Sequence, residues 1–549
     1  MKLNAKSKII ILITIGILFA LAPMITVNPN LITGNSDVIN LDNENLKISA
    51  VSGKIHIINN SGWAAFRSAG NCTGNGTYSD PYVIEDLIID VGGLGSGILI
   101  ENSDVHFKIE NCTVYNNINY DWDAGIKLQS VSNGSLINND VSNNDWAGIF
   151  LKYSNYITIS GNIASNNIYH GMVLEDSNYN NILGNTINYN EEGVCLSPSS
   201  YNIVSGNIAN NNLRGINLYY HSINNTVSGN TCNNNVQYGL YLEDICNDNT
   251  LLNNTTNYNG NGIYLTGSDN NTISGNIACN NIWDGIRLSL SDNNTISENT
   301  ISSNNLGITL RFSNKNTILK NIAHHNEGGI VLWDGANNNE VSGNLVFRER
   351  WTGIGFHSAH YNNVSNNHVF ECFSGIVLYE FSDHNIITWN ELHNNFAEGI
   401  ILKYNDNYNN VSNNLIYRNL IGIFINSSSN NNTISGNTAN FNENGIILAG
   451  SNNNTISGNT ANYNRYGILL YESDNNTVSG NRLIGNQECI IEVNCQGNVI
   501  QDNVCTLTPS LNYFPIILII SITIIGVAVF VIYKNHKRFR KPQEDLEFL

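Results

Sequence analysis

Residues 445–466 read GIILAGSNNNTISGNTANYNRY, and this stretch is one copy of a unit repeated along most of the chain. The unit is Gly-Ile-x-Leu, a polar turn, Asn-x-Ile, an Asn, a small or apolar pair, and a second Asn. Here those residues are Gly445, Ile446, Leu448, Asn454, Ile456, Asn459 and Asn464. The phase-marking glycine recurs from Gly97 and Gly125 through Gly148, Gly171 and Gly193 to Gly445 and Gly467. After the first, longer step its spacing is 22, 23 or 24 residues. A period in this range marks a solenoid. Ile446 and Leu448 alternate with Ile447 and Ala449, which is strand periodicity over a run too short for a helix face. Asn-x-Ile makes a second short strand and the pair after Asn459 a third, separated by Ser, Asn and Gly, which accept tight turns. The pattern predicts an all-β fold, a parallel β-helix of about 17 coils of 22–24 residues each. A leucine-rich repeat has a similar period but needs Leu-x-x-Leu-x-Leu and a helical segment, and neither occurs.

Asparagine stands at one phase in successive coils, at Asn139, Asn162, Asn185, Asn207, Asn276, Asn299, Asn437 and Asn459 among others. A second column follows, from Asn144 to Asn486, broken at Glu349 and Cys372. Buried turns leave backbone N–H and C=O groups needing partners, and stacked amides supply both donors and acceptors. These columns read as structural ladders rather than as a binding site.

The formal net charge is -19, with 25 Lys+Arg against 44 Asp+Glu. That balance excludes a nucleic-acid partner, which needs a basic face. Regularly spaced Ile, Leu and Val exclude disorder. Residues 1–24 pair a basic start (Lys2, Lys6, Lys8) with an apolar run and read as a signal peptide or N-terminal anchor. Residues 25–50 read as a polar spacer and 51–96 as an N-terminal cap of two strand runs around a loop. Residues 97–507 are the repeats. The uncharged run 514–533 is long enough to be a transmembrane helix, and the basic residues of 534–549 place that tail in the cytoplasm and the repeats outside. The expected location is therefore the cell membrane, single-pass. An exported chain can form disulfides, and Cys72 with Cys112 leaves room for one. Triplets N-x-S/T, at Asn133, Asn224, Asn270 and Asn453 for example, would make the chain a glycoprotein at some of them.

The coil core, S-x-x-N-x-I-x-x-N, resembles the repeats of NosD-like proteins and of the wider carbohydrate-binding and sugar-hydrolase β-helix group, over residues 55–505 or so. The resemblance implies a right-handed, three-sheet β-helix, an exported location and, often, an association with polysaccharide. Some members of that group are lyases, hydrolases or epimerases, and NosD itself is linked to copper-site maturation. The layout is also similar to archaeal membrane-anchored surface proteins.

Function then turns on the turn row between the second Asn and the next glycine, which mixes aromatics with charge. Candidate ligand-binding residues are Trp122, Trp146, His170, Trp283, Asp284, Trp333, Arg350, Trp351, His357 and Tyr379. Flat rings stack on sugars while carboxylates and Arg bond hydroxyls. The expected partners are polysaccharide or cell-surface glycans, bound without catalysis and without a cofactor. A first alternative is a lyase or hydrolase, with Asp123, Asp145 and Glu192 as acidic candidates. A second is a metal accessory protein. Seven of the twelve histidines lie between 324 and 393, where the second Asn column breaks, and His357, His360 and Cys372 are the candidate ligands.

Overall fold

The computed structural model describes residues 50–93, 95–118 and 122–507. The segment 1–24 read as a signal or anchor, most of the stretch read as a spacer, the run 514–533 read as transmembrane and the basic tail lie outside the described residues. Among the described residues no helix is long and apolar enough to cross a membrane.

The described chain winds as a right-handed parallel β-solenoid of about 18 turns. The first sheet runs from Ile55–Ile58 to Glu488–Val493 and holds the Gly-Ile-x-Leu strands. The second runs from Tyr82–Glu85 to Val499–Gln501 and holds the Asn-x-Ile strands. Each strand pairs in parallel with those one coil before and after, so Ile446 sits between Ile423 and Ile468. The third sheet narrows to single bridges between Thr113 and Ile277, then widens into three-residue strands from Ile277–Cys279 to Thr438–Asn440. Period 2 turns one set of side chains inward: Ile446, Leu448, Ile456 and Ala461 are fully buried, and their equivalents stack into one continuous core. Each such Ile or Leu stabilises the fold by about 1.5–3 kcal/mol.

The corners are polar and fully bonded. Asn459 Oδ1 accepts from the backbone N (2.9 Å) and Nδ2 (3.0 Å) of Asn437, and its Nδ2 donates to Asn481 Oδ1 (3.0 Å) and Ile434 O (2.9 Å). That uses both lone pairs and both protons of the amide. This ladder extends to Asn503. A third ladder, not separated in the sequence reading, runs through the Asn of Asn-x-Ile. Asn454 Oδ1 accepts from Asn432 N (2.8 Å) and Nδ2 (3.1 Å). Beside it a column of buried serines does the same work with hydroxyls, as in Ser451 N to Ser473 Oγ (3.1 Å). The phase glycine is explained by crowding: a Cβ on Gly445 would lie 2.5 Å from Gly467 O and 3.0 Å from Asn464 Nδ2.

Two columns are interrupted by carboxyls. Glu349 replaces an Asn, accepting from Asn326 N (2.5 Å) and Nδ2 (3.1 Å). Asp406 replaces a Ser, accepting from Ser382 N (2.8 Å) and Lys403 N (2.6 Å). Burial pushes each pKa up to about 8, against the hydrogen bonds each accepts.

The segment 51–96 is a coil in its own right. KIHII supplies a first-sheet strand, and PYVIEDLIID supplies second- and third-sheet strands, Tyr82–Glu85 and Leu87–Gly93. Between the first strand and the loop NCTGNGTYSDP the chain forms a ten-residue helix, Asn59–Ser68, which the sequence reading did not anticipate. Asn59 Oδ1 accepts from Ser61 N (2.9 Å) and Gly62 N (3.2 Å), organising its first turn. One apolar side chain fixes the helix: Trp63, fully buried, stacks on Tyr82 at 5.3 Å and packs against Phe107 at 5.2 Å. Cys72 and Cys112 are both free. The disulfide is at the other end, Cys489–Cys505, joining the last first-sheet strand to the last third-sheet strand.

Candidate functional site

With the inward face fixed by the repeat, chemistry is left to the outward face of the first sheet. Register lines up three outward columns there. Strand starts run Ala147, His170, Glu192, Arg214, and middles run Phe150, Val173, Cys195, Asn217. Strand ends run Lys152, Glu175, Ser197. Small side chains at Val173, Cys195 and Ser197 stand between bulky neighbours, and the result is a cleft of about 390 Å³. Its lining is Trp122, Trp146, His170, Val173, Glu175, Glu192, Cys195, Ser197, Pro198 and Tyr219.

One wall is aromatic. Trp122 lies 5.2 Å from Trp146, which meets Phe150 at 4.7 Å and His170 at 5.1 Å. Lys152 Nζ sits 5.2 Å over the Trp122 ring and 3.0 Å from Glu175. Trp122 is half exposed, whereas Trp146 is nearly buried beneath it. The other wall is a charge network. Glu192 Oε1 accepts from Tyr219 Oη (2.7 Å) and Arg214 Nη1 (3.0 Å), and its Oε2 lies 3.2 Å from His170 Nδ1. Arg214 Nε is held in turn by Gln237 Oε1 at 2.8 Å. Burial alone would raise the Glu192 pKa. The His170 imidazole, by hydrogen bond and charge, and the Tyr219 hydroxyl outweigh it and hold the carboxyl down at about 2. Burial first, then the Glu192 charge, push both the Tyr219 hydroxyl and the Cys195 thiol up. Glu192 is therefore a fixed carboxylate, and Cys195 is a thiol without nucleophilic character.

Of the acidic candidates, Glu192 lines the cleft, and Asp123 and Asp145 do not. Asp123 accepts from Ser96 Oγ at 3.1 Å. The second cleft carboxylate is Glu175. It sits five residues past His170, the register partner of Glu192, so the two are about 16 Å apart along the strand direction. Glycosidase carboxyls face each other across roughly 5–10 Å.

The remaining candidates are spread along the solenoid. Asp284 is buried, and burial lifts its pKa to about 6 against Arg287 at 3.6 Å. Trp283 beside it is half exposed. Arg350 and Trp351 both bond Glu327, at 2.7 and 3.3 Å. Trp333, His357 and Tyr379 stack on successive coils at 5.0 and 5.6 Å, with His357 Nε2 3.2 Å from Glu380. His360 Nδ1 accepts from Asp383 N at 3.2 Å in a turn, while Cys372 is buried in the second Asn column with its Sγ directed to Phe370 O at 3.4 Å. His357, His360 and Cys372 thus occupy an outer strand face, a turn and an inner corner.

Sequence reading named the turn residues of the cleft but missed Phe150, Glu175, Cys195 and Tyr219. A signal was there: the coil at Gly193 reads Gly-Val-Cys-Leu, and a Cys at an outward strand position is a departure from its neighbours.

A parallel β-solenoid with an aromatic cleft on one sheet defines the class, and comparison with known proteins narrows it. The profile described as "Right handed beta helix region" matches residues 96–256, and that of "Periplasmic copper-binding protein (NosD)" matches 218–350, 277–398 and 345–506. The NosD matches together span more than half of the chain, which belongs to the NosD-like right-handed β-helix family. No curated protein sequence matches it. Among solved structures, a DFA-IIIase from Arthrobacter chlorophenolicus is 15% identical over 55% of this chain and 72% of its own, with a TM-score of 0.31. The A-module of a mannuronan C-5 epimerase from Azotobacter vinelandii is 13% identical over 76% and 91%, with a TM-score of 0.28. A periplasmic alginate epimerase is 12% identical over 75% and 78%, with a TM-score of 0.26. Likeness at this level carries nothing about activity.

Proposed function

We propose that this chain is an exported, membrane-anchored protein that binds glycans in the Trp122–Tyr219 cleft without transforming them. The observation that carries the reading is the pairing of an exposed indole with a carboxylate whose position and charge are both fixed. The Trp122 face offers a flat apolar surface to a sugar ring, and Glu192, Glu175 and Lys152 offer hydroxyl partners around it. Fixed partners lower the entropic cost of binding. A general acid, by contrast, must hold a proton near neutral pH, and Glu192 is tuned the opposite way.

The test is a glycan array probed with the purified chain, with Trp122→Ala as comparison. Binding to at least one polysaccharide, lost in the variant, is expected. No binding to any glycan sinks the reading. Shortened or unsaturated products from a bound polysaccharide would replace it with the lyase or hydrolase reading.

A further inference from the structure

One wall of the cleft covers an amide. Cys195, which lines the cleft, is the register partner of Asn217 on the next coil. Ile216 and Leu218 are fully buried in the core, so period 2 turns Asn217 to the outward face of the first sheet, the face that carries the cleft. Yet Asn217 is itself fully buried. Arg214, from the start of its strand, and Tyr219, from just past the strand's end, meet at 3.0 Å, and both bond Glu192 Oε1. The three side chains form a clasp across Asn217. Tyr241, its register partner on the following coil, is nearly buried and stands edge-on to Tyr219 at 5.9 Å.

Under that cover both amide atoms of Asn217, Nδ2 and Oδ1, lack a hydrogen-bond partner among the described residues. The corner asparagines show the contrast. Asn207 Nδ2 donates to Asn230 Oδ1 (3.0 Å) and Ile182 O (2.9 Å), and its Oδ1 accepts from Asn185 N (2.9 Å). A buried amide without partners destabilises the fold. The repeat does not require one here, since Val173 and Cys195 fill the two preceding rungs of the same column. Local rules broken in this way are expected at functional sites.

The group that satisfies Asn217 must offer an acceptor to Nδ2 and a donor to Oδ1 side by side, as another amide does. A hydroxyl reaches one of the two atoms at a time. A uronate carboxylate would pair with Nδ2 alone and would face the charges of Glu192 and Glu175. Val173 and Cys195 beside Asn217 give a methyl group an apolar seat. These requirements together describe the acetamido group of an N-acetylated sugar. The clasp opens if the Tyr219 ring turns aside, and side-chain rotamer changes of this kind are common on binding. Glu192 then keeps its contacts with Arg214 and His170.

We propose that Asn217 determines the specificity of the cleft, its amide pairing with the acetamido group of an N-acetylated sugar once the Tyr219 ring has turned aside. The inference rests on the glycan reading and narrows it to one class of sugar. The test compares sugars that differ only in an acetamido or a hydroxyl group at one carbon. The probes are oligomers of N-acetylglucosamine and N-acetylgalactosamine against glucose and galactose oligomers of the same linkage and length, titrated into the purified full chain. The parent should bind at least one acetamido oligomer about tenfold more tightly than its hydroxyl counterpart. Asn217→Val and Asn217→Cys, which copy residues already in the column, should each reduce that preference to about twofold or less. Both variants should melt at or above the parent temperature, because each removes an unpaired amide. A parent with no such preference, or a preference that survives in both variants, overturns the proposal. So does a lowered melting temperature in both variants, which would mean that buried water already satisfies the amide. If the parent binds only glycans without acetamido groups, this inference fails and the glycan reading stands. If it binds no glycan at all, both fail.

Discussion

The coils at 433–466 and those at 122–219 share one interior and differ only outside. In the first set, outward Ile447 and Ala449 leave a plain sheet face, while inward Ile446, Leu448 and Ile456 are fully buried. In the second, the inward positions are again Ile or Leu with an occasional Val or Met, but the outward ones are Phe150, His170, Glu192, Cys195 and Arg214. The repeat constrains one side of each strand and leaves the other free. A cleft arises where small outward residues interrupt a row of large ones.

The coils at 345–374 add a second lesson. The broken Asn column and the histidines coincide along the chain, so the sequence invites reading them as one site. In the structure they lie on opposite sides of the backbone. Glu349 and Cys372 repack an inner corner, whereas His368 faces outward on the third sheet.

If inside and outside are separable, inward changes should cost stability and outward changes should cost binding. The largest effect should come from Asn299→Leu. It removes the acceptor of Asn276 N (2.9 Å) and the donor to Ile273 O (3.0 Å), and breaks the rung to Asn276 Nδ2 (3.0 Å), which keeps its bond to Leu251 O. A loss of about 3 kcal/mol or more is expected in denaturant unfolding, with glycan binding intact in the folded fraction. Next is the Glu349→Asn, Cys372→Asn double variant, which restores the ladder. The Glu349 pKa is about 8 folded against a usual 4.5, so its contribution to stability is full below about pH 4.5 and lost as pH rises to about 8. The double variant should therefore melt higher than the parent at pH 8, with the advantage shrinking toward pH 5. A melting curve that shows no pH-dependent difference breaks the account of Glu349.

Gly445→Ala should cost about 1–3 kcal/mol, because its Cβ would press on Gly467 O at 2.5 Å. An unchanged melting temperature would show that the coils can slide apart to admit it. Trp122→Ala should weaken glycan binding about tenfold while shifting stability little, since that ring is half exposed. The smallest effect should come from Tyr219→Phe, which removes one of the bonds to Glu192. It should raise the Glu192 pKa from about 2, read by NMR titration, and weaken binding only a few-fold.

Much of the fold was legible because the repeat states the same physical requirement many times over. Glycine, inward Ile and Leu, and corner Asn recur in register, and only a stacked parallel coil satisfies all of them. The helix Asn59–Ser68 was not legible. Its sequence, NNSGWAAFRS, carries two asparagines and a glycine, which are weak helix formers, and Trp63 holds it by reaching Tyr82 and Phe107 in other elements. The third Asn ladder was visible as a recurring letter, yet its bonding became evident only when Asn432 and Asn454 were one rung apart.

Sequence alone determined the solenoid, its period, its core and the residues of its corners, since these depend on spacing within one coil. Tertiary structure decided which outward side chains meet, because partners in Glu192–Arg214 or His368–His393 lie 22 and 25 residues apart. Which atoms touch across coils depends on register and side-chain direction. A one-residue difference in coil length moves a partner to another rung position, and no periodicity within a single coil records that.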